Sequence, residues 1–215
     1  RSSDLVLICL GILPLLVASL TITIRSASMV KKIALTEIES KLHSVADAAE
    51  NHFDEMAESG DGTWVMDGDV LTVGGLVQLE REDDYFSAAL SEDVYLTLFY
   101  GDTRYGTSIK DENGQLVINT KASDEVIADV LKGGQNKFID HVEIVGQDFS
   151  GYYIPVKDGS GTTVGMMFAG TPYEDTEKEI NKNVRSLLLI VVFSFVIFCA
   201  IAVLVATAVN KRINA

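Results

Sequence analysis

Between Arg25 and Arg185 the chain carries 14 basic and 30 acidic side chains, a formal charge of -16. In that field, a cation inside an apolar run stands out. Arg104 follows the turn Gly101-Asp102 in a stretch rich in β-branched and aromatic residues. Its planar guanidinium presents a fork of donors that matches a carboxylate. It also has a structural reading, as an arginine that ties down the Asp102 turn or another acid. Lys137 opens a later β-like run and is read either as a second cation for an anion or as a solvated strand end.

The rest of the search for chemistry is negative. There is no cysteine pair for zinc, no HExxH, no P-loop, no GxSxG and no GxGxxG. His43, His52 and His141 are scattered, and packed or solvated roles are expected of them rather than metal ligation. Asp61, Asp69, Asp83 and Asp84 read as a solvated acidic face, with a weak calcium site as the alternative. The expectation is therefore no catalytic residue, no metal and no cofactor in this segment.

The elements that would hold Arg104 lie between two apolar ends. The chain has 215 residues, 47% of them apolar, and a net charge of -14. That much apolar content excludes a disordered chain, and the acidity argues against nucleic-acid binding, which needs basic residues to replace phosphate counterions. Leu5–Ile24 and Leu187–Val209 contain no charge, and each matches the ~20 residues that a helix needs to cross a bilayer. The expected layout is a cytoplasmic stub over 1–4, membrane helices over 5–24 and 186–209, and an extracytoplasmic domain over 25–185. Arg1, Lys211 and Arg212 favour cytoplasmic ends, while Arg25, Lys31 and Lys32 weaken that signal. A signal peptide cut near Ser26-Ala27-Ser28 is the rival for the first segment, which is long for one. Cys9 and Cys199 both fall in the spans, so the outer domain has no disulfide. Gly11, Ala202 and Ala206 are small residues that would allow helices to pack closely.

Apolar residues recur at three- and four-residue steps over 26–58, from Val30 and Ile33 through Leu42 to Phe53 and Met56. This predicts one long helix, about 50 Å at 1.5 Å per residue, ended by Gly60-Asp61-Gly62. An α/β head follows over 63–172. Strands are expected at Val70–Val73, Val94–Tyr100, Arg104–Ile109, Lys137–Val145, Asp148–Val156 and Thr163–Gly170, the last three as consecutive antiparallel neighbours. A short helix is expected over Ala122–Leu131, with Ser123 as its cap. A charged juxtamembrane helix over 173–185 runs into the second span. Along the strand VYLTLFY, Tyr95, Thr97 and Phe99 share one face and Leu96, Leu98 and Tyr100 the other.

In order, WVMDGDVLTVGG, TLFYGDTRYGTSI, ASDEVIADVLKGG and GYYIPVKDGSGTTVGMMFAG resemble the extracytoplasmic single-Cache sensor domain of bacterial receptors. The resemblance implies an α+β, PAS-like fold: an antiparallel sheet with the long N-terminal helix behind it, flanked by two transmembrane helices. It also implies a homodimer and a HAMP-type linker beginning at 210–215. The expected setting is the cell membrane of a methyl-accepting chemotaxis protein that passes a signal to cytoplasmic partners. Sensor histidine kinases, cyclic-dinucleotide enzymes and a non-binding structural domain are the alternatives. The resemblance puts the ligand between the sheet and its covering loops, with Arg104 and Lys137 as cations. Tyr95, Phe99, Thr107 and Tyr152 are the expected walls, or else ordinary core residues. The Arg, His and Lys set of citrate-binding relatives is missing here, which favours a small monocarboxylate over a tricarboxylate.

Overall fold

A computed structural model describes residues 2–81, 84–88 and 93–213, apart from some side chains in the two terminal helices and those of Asp84 and Ala88. The chain divides into two compact units, Arg1–Ala34 with Glu177–Ala215, and Leu35–Thr176.

Helix α1 runs unbroken from Ser2 to Glu58. Within the second unit it buries Ile38, Leu42, Ala46, Ala49, Phe53 and Ala57, a stripe at helical spacing. Half of that stripe is alanine, which leaves room for a sheet to lie close. The periodicity expected from the sequence holds, although Ile33 is exposed and Ala34 buried instead.

Three short strands follow: β1 (Trp64–Asp67), β2 (Val70–Val73) and β3 (Val77–Leu79). They pair as an antiparallel sheet of their own. Strand β3, the division of Trp64–Val73 into two paired strands and the separateness of this sheet are additions to what the sequence predicted. Helix α2 (Asp84–Ala88) leads to the main sheet of β4 (Tyr95–Tyr100), β5 (Thr103–Thr107), β6 (Lys137–Ile144), β7 (Gln147–Lys157) and β8 (Thr163–Pro172). Its order is β5-β4-β8-β7-β6, antiparallel throughout. The consecutive run β6-β7-β8 appears as expected. The pairing of β4 with β8 joins segments far apart in sequence and puts both inside the sheet. Tyr105 staples the two sheets together: its hydroxyl donates to Leu79 O at 2.5 Å and accepts from Leu71 N at 3.1 Å.

Between β5 and β6 lies the expected short helix, in two parts. Helix α3 (Asp124–Val126) starts at Ser123, whose side chain caps Val126 N. It continues as a π-helix, Ile127–Lys132, a geometry that recurs at functional positions.

Helix α4 (Tyr173–Ile213) buries Ile180, and beyond it, in the first unit, many of its large apolar side chains are exposed, Phe193 at 69% and Leu204 at 68% among them. Among the described residues one helix, Tyr173–Ile201, is long and apolar enough to cross a membrane. The backbone of 5–24 is helical. Most side chains there, with Cys9, Gly11, Ala202 and Ala206, lie outside the described residues.

Candidate functional site

Strand alternation divides the main sheet into two faces. Leu96, Leu98, Ile154, Val156, Met167 and Ala169 point toward α1 and join its core. The opposite face carries a second cluster, with Phe99, Phe149, Tyr153, Met166 and Phe168 under Val126 and Val130 of the short helix.

On that second face the registers line up as three rows. One runs Tyr95, Gly170, Gly151, Ile139. The next runs Thr107, Thr97, Phe168, Tyr153, Lys137. The third runs Arg104, Phe99, Met166, Pro155. The sheet thus brings together five of the six residues singled out in the sequence: Arg104, Lys137, Tyr95, Phe99 and Thr107. Tyr152 is not among them. It faces α1, where His43 packs on its ring at 4.6 Å. Its neighbour Tyr153 takes the place on the second face. Adjacent tyrosines in one strand point to opposite sides, and only the pairing register decides which faces which way.

Arg104 is the one buried charged side chain among the described residues, 4% exposed. A bulge in the β4–β5 ladder between Leu98 and Phe99 sets Arg104 opposite Phe99. The guanidinium lies over the Phe99 ring, 5.1 Å from its centroid. Its Nη1 donates to Thr120 Oγ1, on a segment that returns beside β5 through Arg104 N to Thr120 O and Asn119 N to Arg104 O. Its Nε has no hydrogen-bond partner. Among the described residues no carboxylate pairs with it. The Asp102 turn is tied by Lys121 instead, at 2.7 Å, and by Thr103; these two hold the Asp102 carboxyl below its ordinary range. Burial pushes Arg104 down to about 10, against a smaller opposing effect of Tyr153. Burial likewise pushes Tyr153 up to about 12, against the nearby guanidinium. A buried cation without a counterion is costly, and an orphaned buried N–H adds to that cost. A bound anion would relieve both.

The neighbouring polar groups are more nearly satisfied. Thr97 and Thr107 share a hydrogen bond at 2.6 Å, and Thr107 Oγ1 also accepts from Ile109 N at 3.1 Å. Lys137 is committed within the protein, its Nζ bonded to Glu125 at 2.7 Å and to Asp129. Those two carboxylates raise its pKa, Asp129 foremost. It straps the short helix to β6 rather than pointing a free charge at the face.

A cleft of about 720 Å³ that meets this face at Thr107 is lined by Arg81, Lys110 and Gln115, among others. Arg81 there is engaged already, by Asp69 at 2.8 Å, by Asn119 at 3.0 Å and by the Tyr105 ring. The histidines pack on rings: His52 on Tyr85 at 3.9 Å and His141 on Tyr173 at 4.4 Å, with Asp148 3.0 Å from His141.

Sequence reasoning missed Tyr153 and Phe168. The alternation of β4 was readable because a single strand has only two faces. Which residues of β7 and β8 join them depends on pairing across the sheet.

Residues 79–183 match the family model described as single cache domain 3. No curated protein matches the chain. Among solved structures, the chain is similar to the E. coli DcuS sensor domain, at 13% identity and a TM-score of 0.37, over 64% of this chain and 98% of that one. The matched segment holds the main sheet, the short helix and the start of α4, and in it the chain is similar to single Cache domains.

Proposed function

We propose that the Cache domain is the ligand-sensing input of a dimeric transmembrane chemoreceptor, and that its ligand is a small extracytoplasmic anion, in class a small monocarboxylate. The observation that carries this reading is Arg104: buried, without a carboxylate partner among the described residues, and with its Nε unbonded. One carboxylate supplies the missing acceptors in the geometry that a guanidinium prefers. Tyr153 and the Thr97–Thr107 pair stand on the same face to shape its surroundings. In this reading 5–24 and 186–209 cross the membrane, with 25–185 outside and no enzymatic step in this segment.

A route for the signal starts at the same sheet. Strand β8 ends at Pro172 and α4 starts at Tyr173, with no residue between. Thr176 in the first turn of α4 is buried against Ser150 of β7, hydroxyl to hydroxyl at 3.2 Å. A ligand that prefers one position of β7 and β8 therefore biases α4 by the difference in its affinities.

The test is thermal unfolding of the full chain in nanodiscs with a panel of small carboxylates. A ligand at 100 times its dissociation constant stabilises by about 2.7 kcal/mol. The reading expects at least one acid to do so and Arg104→Met to abolish the effect. It fails if no acid shifts the wild type, or if the shift survives in Arg104→Met.

A further inference from the structure

We infer that Phe168 sets the size limit of the ligand, so that the site takes a short aliphatic acid and refuses an aryl one. This rests on the anion-binding reading above. The evidence is a pair of glycines. Gly151 and Gly170 sit opposite each other in the β7–β8 ladder, in the row next to Phe168. Neither has a positive φ, so their backbone is open to any residue, and glycine inside a strand is otherwise unfavourable. Space explains them. A Cβ at Gly151 would come within 2.3 Å of Phe168 Cε2, and one at Gly170 within 2.3 Å of its Cζ. The ring lies down over the bare backbone of both strands.

The ring is fully buried, 4.8 Å from the Tyr153 ring and 6.5 Å from that of Phe149. Arg104 and Phe99 occupy the row on the other side of it. An acid whose carboxylate meets Arg104 would send a tail across the sheet into the volume that the Phe168 ring holds. A short tail stops before it, whereas a phenyl tail needs that volume. Truncating Phe168 leaves an apolar, ring-sized space, the kind that stays dry and accepts an aromatic ring.

Propanoate and 3-phenylpropanoate share a headgroup and differ by one ring. Their dissociation constants are measured by calorimetry on the full chain in nanodiscs, for wild type, Phe168→Ala and Phe168→Leu. Wild type is expected to bind propanoate more tightly. Phe168→Ala is expected to move the ratio toward 3-phenylpropanoate by about tenfold to a hundredfold, and Phe168→Leu to move it the same way by less. Gly151→Ala pushes the ring from behind and should weaken propanoate. If Phe168→Ala does not fold, Phe168→Leu decides. An unchanged ratio with Arg104-dependent binding intact overturns the size limit and leaves the sensor reading standing. Equal binding of both acids by wild type also overturns it. Binding of neither acid while another carboxylate binds through Arg104 rejects the short-acid assignment; absence of all carboxylate binding defeats the sensor reading, and the size limit with it.

Discussion

On the α1 side of the five-stranded sheet, Leu96, Leu98, Ile154 and Met167 share a core with Leu42, Ala46, Ala49 and Phe53, with no buried charge among the described residues. On the other side, alternate residues of the same strands supply Arg104, Thr97, Thr107 and Tyr153 beside Phe99 and Phe168. Both sides are buried, and the difference lies in what burial achieves. The first face is a packing surface whose stability grows with apolar area. The second gives up stability by holding a cation that no carboxylate pairs with among the described residues, a cost that the proposed anion would recover. One sheet therefore carries a support on one side and, in the proposed reading, a ligand site on the other, built by strand alternation.

The strongest way to break this contrast is Phe53→Ala. It removes a fully buried ring from the α1 side and is expected to cost about 3–5 kcal/mol in denaturant titration. The folded fraction should keep its Arg104-dependent carboxylate binding. Loss of binding without loss of stability would mean that the two faces are not separable.

Arg104→Met should act in the opposite direction. Removing a buried, uncompensated charge is expected to stabilise the unliganded chain, by up to about 3 kcal/mol. The sign follows from its titration. Arg104 is lowered to about 10 in the fold, so between there and its ordinary value the unfolded chain binds more protons, and this group makes stability rise with pH. Tyr153, raised to about 12, makes stability fall over an overlapping range. Between pH 9 and 11 the variant should therefore lose stability more steeply than wild type. Carboxylate affinity in wild type should hold to about pH 9 and fall once the pH passes the value near 10. A destabilised Arg104→Met would identify this arginine as structural.

Thr97→Val tests a smaller term. It leaves the Thr107 hydroxyl without its 2.6 Å partner and should cost about 1 kcal/mol, read in the same titration. Lys137→Gln should do least globally. Its strap to Glu125 and Asp129 acts on the short helix, so faster amide exchange confined to 124–132, at unchanged melting temperature, is the expected result. Loss of ligand affinity with unchanged exchange would instead return Lys137 to the role of a second cation.

Much of the architecture was legible because it depends on local pattern. The helical period over 26–58, the alternation of VYLTLFY, the Ser123 cap and the turns around β6, β7 and β8 each follow from a few adjacent residues. The small sheet was only half visible, since Val77–Leu79 is too short to carry a period. Within the candidate site, Arg104 stood out as a basic residue in an apolar run of an acidic domain. Its freedom from Asp102 did not, because Lys121 had to fold back across β5 to take that carboxylate.

The sequence by itself determined which residues alternate, where the chain turns and that a lone arginine would sit in a strand. Those are properties of the backbone period and of side-chain chemistry. The tertiary structure alone decided that β4 lies between β5 and β8, that Tyr153 rather than Tyr152 shares a face with Arg104, and that Phe168 lies over Gly151 and Gly170. Each of these depends on the register between strands distant in sequence. A register shift of one residue turns every side chain of a strand to the other face, and the burial of whole faces against α1 and the short helix selects among such registers.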